Sequence, residues 1–324
     1  MKKALKRIGL VLLSIIAIVS LFLLISFVVH RIKLEKEDVL FKPIGQLVEV
    51  NGHKVNVYCV GEGETTLVFM SGGGTSSPVL DFKSLYSLLD DEYRIVVVEK
   101  AGYGFSEVAD VKRDVDSVLS ETREAISLAN IKGPFVLCPH SMSGIEALYW
   151  AQKYPEEVSA IIGLDMAVPQ SYESYQINMP MINLLSFAAN AGVSRWFPDF
   201  AESDAIKYGT LSDDEKELYK VIFYRRTMTK TMLSEVKAIK TSAETVKSSA
   251  VPETPILIFS SNGEGTGWDG EQWKGFQKDF IGTCINGSII DLNCAHYVHD
   301  IEYNKISEDI KAFFGKLETQ DNKY

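Results

Sequence analysis

Phe135-Val-Leu-Cys-Pro-His-Ser-Met-Ser-Gly144 is the stretch on which the fold turns. Its first half is a short apolar run of strand type, and helical spacing begins at Gly144 and continues to Lys153. A serine at such a junction stands on a tight turn above the end of a strand. A serine hydroxyl is a weak nucleophile unless a base takes its proton and its neighbours leave it clear. Turns of this kind want small residues around the serine, in the pattern G-x-S-x-G. Here Pro139 and Ser143 hold the two glycine positions, and Gly144 follows at once. The competing reading of Ser141 is a helix N-cap.

Outward from this turn the chain alternates strands and helices. Leu67–Met70, Ile95–Val98, Phe135–Cys138, Val158–Leu164, Pro255–Phe259 and Ser288–Leu292 read as strands. Phe82–Leu89, Val115–Ala129, Gly144–Lys153, Trp268–Phe280 and Ile301–Leu317 read as helices. Continuous apolar strands between amphipathic helices mark a parallel sheet covered on both faces. Ahead of it, Gln46–Val50 and Lys54–Val60 flank Asn51-Gly52, a hairpin signal. The alternation stops at Pro169 and resumes at Pro255. In between, Ser212-Asp-Asp-Glu215 is a capping box before a long helical stretch from Glu215 towards Lys237. This is expected to be a helical cap, whose aromatics Tyr172, Tyr175, Trp196, Phe197 and Phe200 mostly pack it onto the core, some lining a pocket. The expected division is an anchor over 1–30, a linker over 31–44, a core over 45–168 and 251–318, the cap over 169–250 and a tail over 319–324.

Four motifs in order, each at a strand end, resemble the α/β-hydrolase superfamily, from about Gly45 to Leu317. Cys138-Pro-His-Ser-Met-Ser-Gly144 looks like its nucleophile elbow, and Met70-Ser-Gly-Gly-Gly74 is similar to its oxyanion loop. Glu99-Lys-Ala-Gly-Tyr-Gly-Phe-Ser106 resembles its Asp-x-x-Gly-x-Gly-x-Ser turn, with Glu99 in place of aspartate. Cys294-Ala-His-Tyr-Val-His299 resembles the loop that bears the catalytic histidine. The resemblance implies an α/β fold, a mostly parallel twisted sheet with helices on both faces, to which the chain's own pattern adds the helical cap insertion and an N-terminal transmembrane helix. It implies Ser141 as nucleophile, His296 as base with His299 the rival, and the N–H groups of Gly73 and Met142 as the oxyanion hole. For the acid, Asp165 is favoured by its residue type and place, with Glu264 as the alternative. Glu264 stands where relatives usually carry the aspartate, and Asp165 ends the strand beside that of the nucleophile.

The remaining features narrow the function. The net charge of −10 and the lack of a basic stretch after the first 40 residues argue against nucleic-acid binding. Residues 8–29 carry no charge and as a helix reach roughly 33 Å, enough to cross a bilayer. A cleaved signal peptide is the alternative, but its apolar region is shorter and ends in small residues, whereas Val28, Val29, His30 and Arg31 follow here. Lys2, Lys3, Lys6 and Arg7 before the span, against Arg31, Lys33 and Lys36 after it, favour a cytoplasmic amino terminus. Cys59 and Cys138 lie in apolar strands, where buried free cysteine is common, and Cys284 and Cys294 are too far apart along an extended segment to pair. Gly72-Gly-Gly74 lacks the Lys-Ser or Lys-Thr of a phosphate loop. No histidine pair has zinc spacing, so neither metal nor cofactor is expected. The expected activity is serine hydrolysis of an ester or amide of a small or lipid-like substrate through an acyl-enzyme. Carboxylesterase, lipase and aminopeptidase stay open, as does a non-catalytic binding or sensor module.

Overall fold

The computed structural model describes residues 2–321. Eight strands form one sheet: β1 (Gln46–Val50), β2 (His53–Val60), β3 (Thr66–Met70), β4 (Arg94–Glu99), β5 (Phe135–Pro139), β6 (Val158–Leu164), β7 (Ile256–Ser260) and β8 (Gly287–Asp291). Their spatial order is β1-β2-β4-β3-β5-β6-β7-β8. The first two ladders, β1 with β2 and β2 with β4, are antiparallel and the rest are parallel. Asn51 and Gly52 both take positive φ in the two-residue turn between β1 and β2, as a twisted hairpin requires. Strands β3, β5 and β7 are buried along their whole length, which is why they read as unbroken apolar runs.

Helices α1 (Lys2–Glu37), α2 (Val115–Leu128), α3 (Ser143–Lys153), α4 (Met179–Asn190), α5 (Asp213–Arg226), α6 (Lys230–Lys247), α7 (Gly270–Ile281) and α8 (Tyr303–Asp321) exceed two turns. One face of the sheet packs on α2, α3 and α6 through Leu119, Ile145, Trp150 and Ile239. The other packs on α8 through Ile306 and Ile310, and on the segment around Phe82 and Leu85. The fold is therefore an α/β sandwich with helices on both faces. Between β6 and β7 the described residues form only helices and turns.

Several local readings need correction. The helix expected over Phe82–Leu89 is two single turns, Pro78–Asp81 and Lys83–Tyr86. The long helix from Glu215 towards Lys237 is two helices. Met228 turns the chain at φ 56°, and Thr229 restarts it by accepting a hydrogen bond from Met232 N–H. Cys59 is exposed, because burial falls away at the far end of β2. The segment read as a linker after residue 30 continues α1 to Glu37. Arg195 holds it there, donating to both Glu37 oxygens at 2.7 Å and to His30 Nδ1 at 2.8 Å. Within the segment read as a tail, 319–321 continue α8, and 322–324 lie outside the described residues. An 18-residue window of α1 has mean hydropathy 3.1 and none of it is buried, so the helix is long and apolar enough to cross a membrane.

Candidate active site

Ser141 sits between the end of β5 and the start of α3 with φ 53°, a left-handed conformation that costs a non-glycine residue about 1–3 kcal/mol. The neighbours explain how the departures from small-residue spacing fit. Ser143 turns its hydroxyl inward, where its single proton is shared between the carbonyls of Met70 (2.7 Å) and His140 (2.8 Å). The close approach falls instead on Gly144, where a Cβ would lie 2.2 Å from Ala167 O. Pro139, lacking an N–H, ends the strand, and the His140 N–H resumes the ladder to Met70 O at 2.9 Å.

His296 reaches this serine from the loop after β8. Its Nε2 lies 2.8 Å from Ser141 Oγ and its Nδ1 lies 2.5 Å from Asp165 Oδ2. A carboxylate only accepts, so Nδ1 carries the proton and Nε2 is free to accept from the serine hydroxyl. Asp165 ends β6 in the left-handed region, at φ 51°, and is fully buried. Its other oxygen accepts from Ser261 N–H (2.8 Å), Trp273 Nε1–H (2.8 Å) and Gln277 Nε2–H (3.2 Å). A buried carboxylate without such donors would be costly. Trp273 and Gln277 stand one turn apart on α7 and face Asp165 together. No sequence feature separates them from ordinary helix residues.

Glu264 lies elsewhere in the arrangement. Its side chain is exposed and has no hydrogen bond or ion pair among the described residues, while its backbone carbonyl accepts the His296 N–H at 2.9 Å. It holds the histidine loop through its main chain. His299 is turned away as well, with Nε2 3.4 Å from Asp81 Oδ2. His140, which carries no sequence signal beyond adjacency, is buried and packs on His296 with ring centroids 4.6 Å apart and the planes tilted by 41°. Its Nε2–H donates to His296 O at 3.2 Å, and burial lowers its pKa well below the ordinary histidine value, keeping the ring neutral beside the relay.

The glycine loop after β3 lies against the elbow. A Cβ on Gly72 would come 2.8 Å from Ser141 Cβ, and one on Gly73 would come 2.9 Å from Met142 Cε. Gly73 and Met142 line the same cavity as Ser141 and His296, and among the described residues their backbone N–H groups have no acceptor. The cavity measures about 430 Å³ and is walled by Tyr172, Tyr175, Ile182, Met232 and Trp268. Trp196, Phe197 and Phe200, grouped with these tyrosines in the sequence, do not pack on the core and are exposed.

The turn at Glu99–Ser106 supports this loop from below. Glu99 is fully buried and accepts from Phe105 N–H (2.7 Å), Asn56 Nδ2–H (3.0 Å) and Val79 N–H (3.3 Å), so the longer acid fills the aspartate position without orphaned donors. Next to it Lys100 donates to Glu235 of α6 at 2.6 Å, tying the segment between β6 and β7 to the core. Glu121 accepts from Ala101 N–H (3.0 Å), Arg113 Nη1–H (2.8 Å) and His53 Nε2 (2.9 Å). Burial alone would raise its pKa, but the His53 hydrogen bond and the Arg113 charge outweigh burial and hold it at about 2. A depressed carboxyl stabilises the fold above its unfolded pKa and loses that contribution as pH falls towards the folded value. The stability difference between wild type and Glu121→Gln in detergent solution is therefore expected to shrink by roughly 2 kcal/mol between pH 6 and pH 3. Denaturant melts at the two pH values check this, and an unchanged difference would contradict it.

The fold also brings together Asp81, His299 and Asp300, buried, with ligand atoms within 4.8 Å of one another. Asp81 lies 218 residues from His299, so no local spacing could reveal the group. Burial pushes the Asp300 carboxyl well above the ordinary range, and the neighbouring Asp81 charge adds to this.

Residues 65–242 match the family model for the alpha/beta hydrolase fold. An uncharacterised protein of Bacillus subtilis (strain 168), YbdG, is 40% identical over 266 residues, covering 81% of this chain and 82% of its own length. Among solved structures, Cfl2 from Burkholderia cenocepacia superposes with a TM-score of 0.64 at 18% identity, over 83% of this chain and 95% of its own. A loop variant of the haloalkane dehalogenase DbeA-M1 from Bradyrhizobium elkanii gives 0.62 at 15% identity, over 86% and 98%. At such identities the two structures speak to fold alone. With its sheet order and the family match in agreement, this chain belongs to the alpha/beta hydrolase fold family.

Proposed function

We propose that the protein is a serine hydrolase that cleaves an ester or amide of a small or lipid-like substrate through an acyl-enzyme. The observation that carries the reading is the continuous relay Asp165–His296–Ser141 at the floor of a largely apolar cavity. Ser141 Oγ attacks the carbonyl carbon while its proton passes to His296 Nε2. The carbonyl oxygen becomes an oxyanion held by the Gly73 and Met142 N–H groups. Collapse returns the C=O, breaks the bond to the leaving group and hands that group the proton from His296. Water then repeats the sequence on the acyl-enzyme, releasing the acid and restoring Ser141. Asp165 keeps the imidazole in the required tautomer throughout.

A dehalogenase-type displacement fits less well, because serine rather than aspartate occupies the elbow. The segment between β6 and β7 acts as a cap over the cavity, contributing Tyr172, Ile182 and Met232 to its walls. Residues 8–29 act as an uncleaved anchor with the amino terminus cytoplasmic and the hydrolase domain on the other side. In support, α1 runs without a break from this span into residues fastened to the folded domain by Arg195.

The test is turnover of p-nitrophenyl esters of graded acyl length and of aminoacyl p-nitroanilides by the full chain. Hydrolysis of at least one series that disappears in Ser141→Ala supports the reading. A folded wild-type protein inert towards both, yet binding such compounds, would favour a non-catalytic module instead.

A further inference from the structure

The most informative contact outside the relay joins α1 to the segment after α4. Trp196 Nε1–H donates to Ser26 Oγ at 3.1 Å, and its ring packs on Phe22 with centroids 5.7 Å apart. Gly192, at φ 74°, brings the chain so close that a Cβ there would lie 2.3 Å from His30 Cβ. Phe22 and Ser26 belong to the uncharged run over 8–29. If the part of α1 touched by the domain stood outside the membrane, only residues 8–21 would remain to cross it. Those 14 residues reach roughly 21 Å, well short of the roughly 30 Å hydrocarbon layer. The docked surface must therefore share the outer layer of the bilayer with residues 22–29.

The composition of that surface agrees. Residues 174–194 contain no charged side chain. Alongside the α1 contact, Met181, Leu184, Leu185 and Phe187 of α4, together with Phe197 and Phe200, stand exposed, Leu184 at 59% and Phe200 at 66%. Exposed apolar residues clustered in this way mark an interaction surface in a folded protein. An amphipathic helix lying in the membrane interface has this form. The opposite side of α4 carries Ile182, which lines the cavity above Ser141. One helix thus separates the relay from the outward apolar face.

We propose that α4 and the 196–200 segment lie in the bilayer surface beside α1, and that the substrate is a membrane-resident acyl ester drawn from the lipid layer past α4 into the cavity. The substrate half rests on the serine-hydrolase reading and the seating half on the anchor. Lipid acyl chains are the occupant to which the charge-free stretch over 174–194, the exposed apolar side chains beside it and their continuity with the α1 span point.

The test uses full-length protein in phosphatidylcholine vesicles. In a Cys59→Ser background, Phe200→Cys and, as a control far from α1, Ile285→Cys are each labelled with a nitrobenzoxadiazole fluorophore. Lipids spin-labelled high on the acyl chain are expected to quench the label at 200 and to leave the label at 285 unquenched. In parallel, Leu184→Asp/Phe200→Asp is expected to lower kcat/KM on the order of tenfold for a long-chain acyl ester embedded in the vesicles while leaving a soluble short-chain ester unchanged. Equal quenching at the two sites, or release of the protein by alkaline carbonate, would overturn the seating. An equal loss on both esters would overturn the lipid route. Wild type inert towards both esters would overturn the substrate half together with the hydrolase reading, and the quenching contrast would still decide the seating.

Discussion

Ser141→Ala is expected to lower kcat by on the order of 10⁴-fold or more on whichever ester the wild type turns over, with His296→Ala equally damaging. The two residues share a single hydrogen bond of 2.8 Å, and neither has a second route to a nucleophilic oxygen. Members of such a unit do not add, so the double variant should be little worse than either single one. What survives should be the contribution of binding and of the Gly73 and Met142 N–H groups. His299→Ala gives the contrast. Its Nε2 faces Asp81 rather than Ser141, so kcat should change by no more than about threefold even if stability falls. Steady-state kinetics on all four variants, with circular dichroism to establish folding, check the pattern. A severe His299→Ala beside a mild His296→Ala would contradict the assignment of the base.

The second large effect is expected at the acid. Asp165→Asn should lower kcat by on the order of 10⁴-fold, because an amide presented to His296 Nδ1 no longer holds the tautomer in which Nε2 accepts from the serine. The site also disfavours the amide structurally, since the aspartate accepts from Ser261, Trp273, Gln277 and His296. An asparagine would turn an NH₂ towards one set of these donors. Should that variant fail to fold, Trp273→Phe removes one donor to Oδ1 while keeping an aromatic ring beside His296. Its kcat should fall by roughly tenfold with KM little changed. Glu264→Gln should stay within about twofold of wild type, because only its backbone touches the histidine loop. A severe Glu264→Gln with a mild Asp165→Asn would reverse the assignment.

How much of this was legible in the sequence depended on how local each signal was. The sheet was readable because β3, β5 and β7 are buried on both faces and appear as plain apolar runs. Ser141 and His296 were nameable because an abrupt strand end and a histidine loop are local patterns. For the acid, residue type and position favoured Asp165, but Glu264 stayed a rival because both follow strands of the right kind. The contacts that solvate the buried Asp165 carboxylate come from Trp273 and Gln277, more than 100 residues beyond it in sequence, where no local pattern shows them. The break at Met228 escaped the periodicity because apolar spacing continues across it, and only the left-handed φ reverses the chain. Trp196, Phe197 and Phe200 look like core aromatics in composition. Trp196 docks on α1 instead, a partner that sequence distance hides, and Phe197 and Phe200 pack on each other outside the core.

The most direct test of the central claim is covalent. Full-length protein incubated with a fluorophosphonate should gain the mass of a single phosphonyl group. Peptide mapping should place it on Ser141, and labelling should vanish in Ser141→Ala and slow in His296→Ala. Folded wild-type protein that takes up no label, or carries it on another residue, would contradict the account.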